Sequence, residues 1–134
     1  MITFSDIYEA MRKEKYSEQL QLLPGKFLVE VSEYFNEKKE FLNKEDDSFS
    51  DMALKNKKKL ENAIASFRDL VRLRRKKILN LAYVASEVGI NKRDFDNLLG
   101  FEKDLFEEMM KCIDASDKRL GESMNGGKNG AQKN

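Results

Sequence analysis

Apolar residues recur at helical spacing along most of the chain, and this pattern predicts four helical regions. No stretch of alternating apolar and polar residues bounded by turns competes with it. The regions are expected at about 3–16 with Thr3 or Ser5 as the N-cap, from Pro24 to about 42, at 50–88 with Ser48 or Ser50 as the N-cap, and at about 92–120 with a notch at Gly100. We therefore predict an all-α fold, a four-helix bundle with one long central helix.

The third region is the longest, and neither glycine nor proline interrupts it before Gly89. A helix over 50–88 is roughly 55 Å long, whereas a compact domain of this size is roughly 35 to 40 Å across. Its apolar seam comprises Leu60, Ile64, Phe67, Val71, Ile78, Leu81 and Ala85, and a second stripe comprises Leu70, Leu73, Val84 and Val88, with Leu79 and Tyr83 besides. Because such a helix is apolar on several sides, we expect part of it to pack against another chain.

A charged residue occupies one position of this seam. Arg74 stands where the pattern requires an apolar residue between Val71 and Ile78. Two interpretations are open at this stage. Either the side chain extends to solvent along its aliphatic stem, or it forms an ion pair in the interior or at an interface. The acidic partner would then come from the fourth helical region or from another subunit.

Charge is unevenly distributed, although the 25 Lys and Arg nearly balance the 24 Asp and Glu. Residues 55–77 hold ten basic and two acidic residues, and residues 92–110 hold three basic and six acidic ones. The basic segment is compatible with phosphate binding, with pairing to acidic helices, or with a solvated face. The side chains predicted to contact nucleic acid are Lys57, Lys58, Arg72, Arg75 and Lys76.

The composition argues against an enzyme. The chain has no histidine and a single cysteine, Cys112, so His-dependent triads, zinc sites and an internal disulfide are excluded. No glycine-rich phosphate-binding motif occurs. The sequence therefore predicts no catalytic residue, no metal site and no cofactor. It also lacks a secretory signal and a membrane span, so a soluble cytoplasmic protein is expected.

The composition changes at Gly121. The last fourteen residues, GESMNGGKNGAQKN, contain four of the seven glycines and few apolar residues. Such a segment is typical of a flexible linker or tail. We expect a helical domain over residues 1–120 followed by a flexible tail over 121–134.

Three stretches of the chain carry a resemblance to a known family. They are IYE and RKE in the first helix followed by the connector LQLLP, the basic and then aliphatic run LRRKKILNLA at 73–82, and the acidic and aliphatic run LLGFEKDLFEEM at 98–109. In this order, over about residues 1–118, they resemble the helical A domain of the GINS family of replication factors, which join the replicative helicase in archaea and eukaryotes. The chain is most similar to the archaeal subunit type, in which a small β-rich domain follows a linker. We expect a form that lacks that domain or is truncated before it.

The resemblance implies a non-catalytic scaffold that assembles with other GINS subunits as a homotetramer or heterotetramer. It further implies a nucleoid-associated protein that contacts an MCM-type helicase and a RecJ-like nuclease, with links to primase or polymerase. The residues expected at the subunit interface are Leu22, Leu23, Leu73, Arg74, Ile78, Leu81, Tyr83, Val84 and Val88. Each aliphatic one is equally compatible with the chain's own core.

Two alternatives remain. A helical protein that binds nucleic acid through residues 55–77 would bind less tightly as salt rises. A monomeric helical regulator would require a break in the long helix near residues 55–59.

Overall fold

The structure, a computed structural model, describes residues 1–44, 47 and 49–126. This part of the chain forms five helices and no strand. The helices are α1 (Phe4–Lys15), α2 (Phe27–Asn43), α3 (Asp51–Val88), α4 (Lys92–Asp96) and α5 (Gly100–Met124). The predicted all-α class with one long central helix is confirmed.

The chain divides within α3 into two compact units, Met1–Lys76 and Lys77–Asn134. The first unit contains α1, α2 and most of α3. The second contains the end of α3 with α4 and α5. Each unit has its own buried apolar residues, which are described separately below.

The core of the first unit forms where apolar faces of α1, α2 and α3 meet. Its buried apolar side chains are Ile2, Ile7, Leu20, Leu23, Phe27, Val31, Tyr34, Ala53, Leu60, Ala63 and Leu70. The ring of Phe67 on α3 lies 6.5 Å from that of Phe27 and 5.8 Å, edge to face, from that of Phe35. These aromatic contacts hold α2 against α3.

The buried face of α3 follows the predicted seam with small shifts. Leu60, Ile78 and Ala85 are buried as expected, but the middle of the face is formed by Ala63, Leu70, Arg74 and Ala82. The helix continues without interruption through residues 55–59. The break that a monomeric regulator would require is therefore not present.

The second unit has a smaller core. Its buried apolar residues are Ile78, Ala82, Ala85, Leu98 and Phe106. The rings of Phe95 and Phe106 meet edge to face at 5.7 Å. The fourth helical region is split, because α4 ends at Asp96 and α5 begins at Gly100, where the notch was predicted.

Local signals determine most helix ends. The Thr3 hydroxyl accepts a hydrogen bond from the Asp6 amide at 3.2 Å, and the Ser50 hydroxyl accepts one from the Ala53 amide at 3.1 Å. Both residues are therefore N-caps, as predicted. Ser48, the alternative cap, lies outside the described residues.

Two predicted boundaries are wrong. Pro24 does not begin α2, because it opens a turn in which its carbonyl accepts from the Phe27 amide at 3.0 Å. α5 continues through Gly121 to Met124, so the tail does not begin at residue 121. Residues 127–134, the rest of the predicted tail, lie outside the described part of the chain.

Replacing Gly89 with alanine should destabilise the protein, whereas the same change at Gly121 should stabilise it slightly. Gly89 follows α3 with φ of +95°, a conformation that costs a residue with a Cβ about 1 kcal/mol or more. Gly121 lies inside α5 with open space where the alanine methyl group would lie, so alanine gains helix propensity of up to about 1 kcal/mol there. Thermal unfolding of the two variants checks this. Shifts of the same sign would contradict it.

Candidate interaction surfaces

A buried ion pair joins α3 to α1 in the first unit. The Arg74 Nη1 lies 2.8 Å from the Glu14 Oε1, and the two side chains are only 2% and 0% exposed. The same Nη1 donates to the Gln21 carbonyl at 2.7 Å, and the Gln21 amide donates to the Glu14 Oε2 at 3.1 Å. Each charge is thus neutralised by the other, and both polar groups of the Gln21 backbone are satisfied.

This contact decides between the two interpretations of Arg74. The side chain does not extend to solvent but forms an ion pair in the interior. An acidic partner comes from α1, a source that the prediction did not include. Glu14 was missed as a partner, although the sequence contains a signal for it. It follows Ile7 by seven residues, so it shares the apolar face of α1.

The residues predicted at a subunit interface differ in exposure. Leu23, Arg74 and Ile78 are buried within their own chain, at 7%, 2% and 1% exposure. Leu73 and Leu81 are partly buried. Leu22, Tyr83, Val84 and Val88 are exposed, at 74%, 59%, 41% and 80%. The chain's own core therefore accounts for the three buried residues, and the four exposed ones remain available to a partner.

The exposed apolar residues of α3 flank its buried face on both sides. With about 100° between successive residues of a helix, Leu79 and Tyr83 fall on one side of the buried Ile78 and Ala82. Val84 and Val88 fall on the other side, and Ile90 follows them, 51% exposed. We call Tyr83, Val84 and Val88, with Leu79, the apolar flanks of α3.

The basic segment presents a separate surface on the first unit. Lys57, Lys58, Arg72, Arg75 and Lys76 are all exposed, as is Arg68. By helical geometry these six side chains project from one side of α3, away from the buried face. We call Lys57, Lys58, Arg68, Arg72, Arg75 and Lys76 the basic face. Arg74 is not part of it, because its guanidinium is directed inward at Glu14.

A groove of about 280 Å³ lies between α1 and the start of α2. Ile2, Leu23 and Phe27 contribute its apolar floor, and Leu22 lies at its edge. Its charged residues are Asp6, Glu9, Lys13 and Glu30. Leu22 and Leu23, two of the residues predicted at a subunit interface, both line this groove.

Other classes of site are not found in the part of the chain that the structure describes. No three or more His, Cys, Asp or Glu side chains there come together in a way that would hold a metal ion. Cys112 is exposed on α5. Among the same residues, no helix has the length and apolar character needed to cross a membrane.

Burial affects the ionisation of a tyrosine in the first unit. It raises the pKa of the Tyr34 hydroxyl above the ordinary value of 10.0, because the ionised form would lose its hydration. Tyr34 lies in the core between α2 and α3, beside Lys38, whose ammonium is 5.6 Å from the ring centre. This shift reflects packing of the core and gives the tyrosine no role as an acid or base near neutral pH.

Comparisons with known proteins identify no relative: no protein-family model matches the chain, and no curated protein or solved structure is significantly similar to it. The two surfaces on α3 and the buried pair between α3 and α1 are therefore the basis for any functional argument.

Proposed function

We propose that the chain is a non-catalytic scaffold subunit of a GINS-like complex that associates with the replicative helicase in DNA replication. The observation that carries the proposal is the exposure of the apolar flanks of α3. Tyr83 and Val88 are 59% and 80% exposed near the end of a 38-residue helix. Val84 and Val88 lie one turn apart on the same flank, and neighbouring exposed apolar residues of this kind commonly mark protein interfaces.

In this proposal other GINS-type subunits cover the apolar flanks and form a tetramer of one or two kinds of chain. An MCM-type helicase and a RecJ-like nuclease are the further partners, and the protein works in an archaeal cytoplasm at the nucleoid. The order of the three sequence stretches supports this assignment. The buried residues Arg74 and Ile78 support the fold of the subunit itself and take no direct part in the contact.

The test is the solution mass of the chain, measured by light scattering alone and after mixing with a second GINS-type subunit. We expect a tetramer that persists from about 0.1 to 1 M salt, because apolar contacts are screened little. Replacing Val84 and Val88 with lysine should reduce the mass to that of a monomer. The matched control replaces Met52 and Leu54 with lysine; these residues are 66% and 50% exposed at the other end of α3.

The control variant should assemble like the original chain, since it adds the same charge to the same helix. A monomer in every mixture would overturn the proposal. Equal loss of assembly in both variants would show that added charge, and not the apolar flanks, governs association.

A second candidate function is binding of nucleic acid through the basic face. One observation favours it: all five residues predicted for this contact are exposed and share one side of α3. Charge that neutralises phosphates releases counterions, so this binding should weaken steeply with salt. The response to salt thus separates the two functions.

A further inference from the structure

We infer that the basic face of α3 binds double-stranded nucleic acid through its phosphates, without reading the base sequence. This inference rests on the second function proposed above and specifies its ligand. The basic face carries six cations and shares its side of the helix with two acidic residues, Glu61 and Asp69, so its net charge is 6 − 2 = +4. That charge is concentrated on one side of one helix, within the first unit.

The cations of this surface can reach a ligand. Arg72 forms an ion pair with Asp69 at 3.6 Å, and these two side chains are 66% and 55% exposed. An ion pair this exposed contributes little and is readily exchanged. Arg74, the arginine of the run that is firmly paired, is directed away from the surface.

The length of the basic face matches a short segment of duplex. Lys57 and Lys76 are nineteen residues apart, which is about 28 Å along a helix. At about 3.4 Å per base pair, that length corresponds to roughly eight base pairs. The side chains fall into two groups, Lys57 with Lys58 and Arg68 with Arg72, Arg75 and Lys76. This arrangement offers contacts at both ends of such a segment.

Single-stranded nucleic acid fits this surface less well. Proteins that hold single strands stack the bases on exposed aromatic side chains. The only aromatic residue between 55 and 76 is Phe67, and its ring packs against Phe27 and Phe35. The surface therefore offers phosphate contacts alone. A duplex has one charge per about 1.7 Å of its axis and gains most from such contacts.

A protein partner or a membrane surface is also less well matched. Both are normally held by large apolar or aromatic side chains at the centre of the contact. Between Lys57 and Lys76 the basic face includes Ala65 and no larger apolar residue. The exposed apolar residues of α3 lie before Lys57 or after Lys76 along the helix, at its beginning and in the apolar flanks.

The experiment measures fluorescence anisotropy of a labelled duplex of about twelve base pairs between about 50 and 200 mM salt. With about six phosphate contacts, the logarithm of the binding constant should fall with the logarithm of salt with a slope of about −5.4, which is about an 1,800-fold loss over this range. Arg72→Gln with Arg75→Gln removes two contacts. The slope should then be about −3.6, and the loss about 150-fold.

The matched control is Lys55→Gln with Lys59→Gln. These lysines are exposed on the same helix but project from a different side, and the net charge changes by the same amount. We expect the slope of the control to equal that of the original chain. Circular dichroism of all three proteins confirms that the helices are intact.

The possible failures are distinguishable. Tighter binding to a single strand of equal length, or a tenfold preference between two duplex sequences, would overturn this inference while leaving nucleic-acid binding in place. An equal change of slope in the control would overturn the assignment to the basic face. Binding to polyglutamate that equals binding to duplex would overturn the choice of ligand. Absence of binding to either strand form at about 50 mM salt would overturn both the inference and the second function.

Discussion

Replacing Arg74 with methionine should lower the free energy of unfolding by about 3 to 5 kcal/mol. The change leaves the Glu14 carboxylate in the interior without its cation, and it leaves the Gln21 carbonyl without the donor it now has at 2.7 Å. A carboxylate that is 0% exposed cannot recover these interactions from water without local opening. Urea unfolding followed by helical circular dichroism measures the effect.

Two further variants make this prediction specific. Arg72→Met removes an exposed arginine from the same helix and should change the stability by no more than about 0.5 kcal/mol. Replacing Arg74 and Glu14 together should recover much of the loss, because neither charge of this pair is then left buried without the other. An Arg74 variant as stable as the Arg72 variant would show that the pair is not buried. Loss of assembly in an Arg74 variant would follow from its loss of folding and would not by itself indicate an interface.

Replacing Leu70 with alanine should lower the free energy of unfolding by about 2 to 5 kcal/mol. The side chain is 1% exposed in the core of the first unit, so its removal loses apolar burial and leaves a cavity. Leu54→Ala is the matched control, since Leu54 is 50% exposed on the same helix and the change in helix propensity is the same. Apart from that change in helix propensity, Leu54→Ala should lower the free energy of unfolding by about 0.5 kcal/mol or less. Chemical unfolding of the two variants, side by side, gives the difference.

Equal losses at Leu70 and Leu54 would contradict the orientation of α3. The sequence pattern alone placed Leu70 in a second stripe beside the main seam, whereas the structure has it near the middle of the buried face. This pair of variants therefore tests the rotation of the helix as well as its core. A rotation of one residue would exchange buried and half-buried positions along its whole length.

The helices could be predicted because their signals are local. Ser50 before a long apolar pattern and Gly89 at its end specify α3, and the structure has the helix between them. The error at Pro24 has a local cause as well, since proline suits both a turn and the first position of a helix. Sequence spacing does not distinguish the two.

The partner of Arg74 could not be predicted in the same way. Periodicity identifies the face on which a residue lies but not the helix that covers that face. The partner, Glu14, is sixty residues away along the chain. The opposite signs of two charges on two apolar faces are the signal that suggests such a pair. To find that signal, the apolar faces of α1 and α3 must be compared, because the seam of α3 contains Arg74 whereas Glu14 lies on the face of α1.

The candidate surfaces could be predicted only in part for a related reason. An apolar residue at helical spacing is equally consistent with a core and with an interface, because both exclude water. Ile78 and Val88 belong to the same helix, yet one is 1% and the other 80% exposed. Only the packing of the chain against itself shows that Ile78 belongs to the core and that Val88 is exposed. The exposure of the basic residues was easier to predict, since long charged side chains remain in solvent unless they are paired.

The buried pair also joins two residues that are made far apart in time. During synthesis, Glu14 and the connector that carries Gln21 leave the ribosome well before Arg74, which follows Glu14 by sixty residues. Until Arg74 arrives, the carboxylate lacks its contact with the guanidinium at 2.8 Å, so its burial costs more free energy than in the finished unit. We therefore expect the packing of α1 in the first unit to become stable only after α3 has been made past its midpoint.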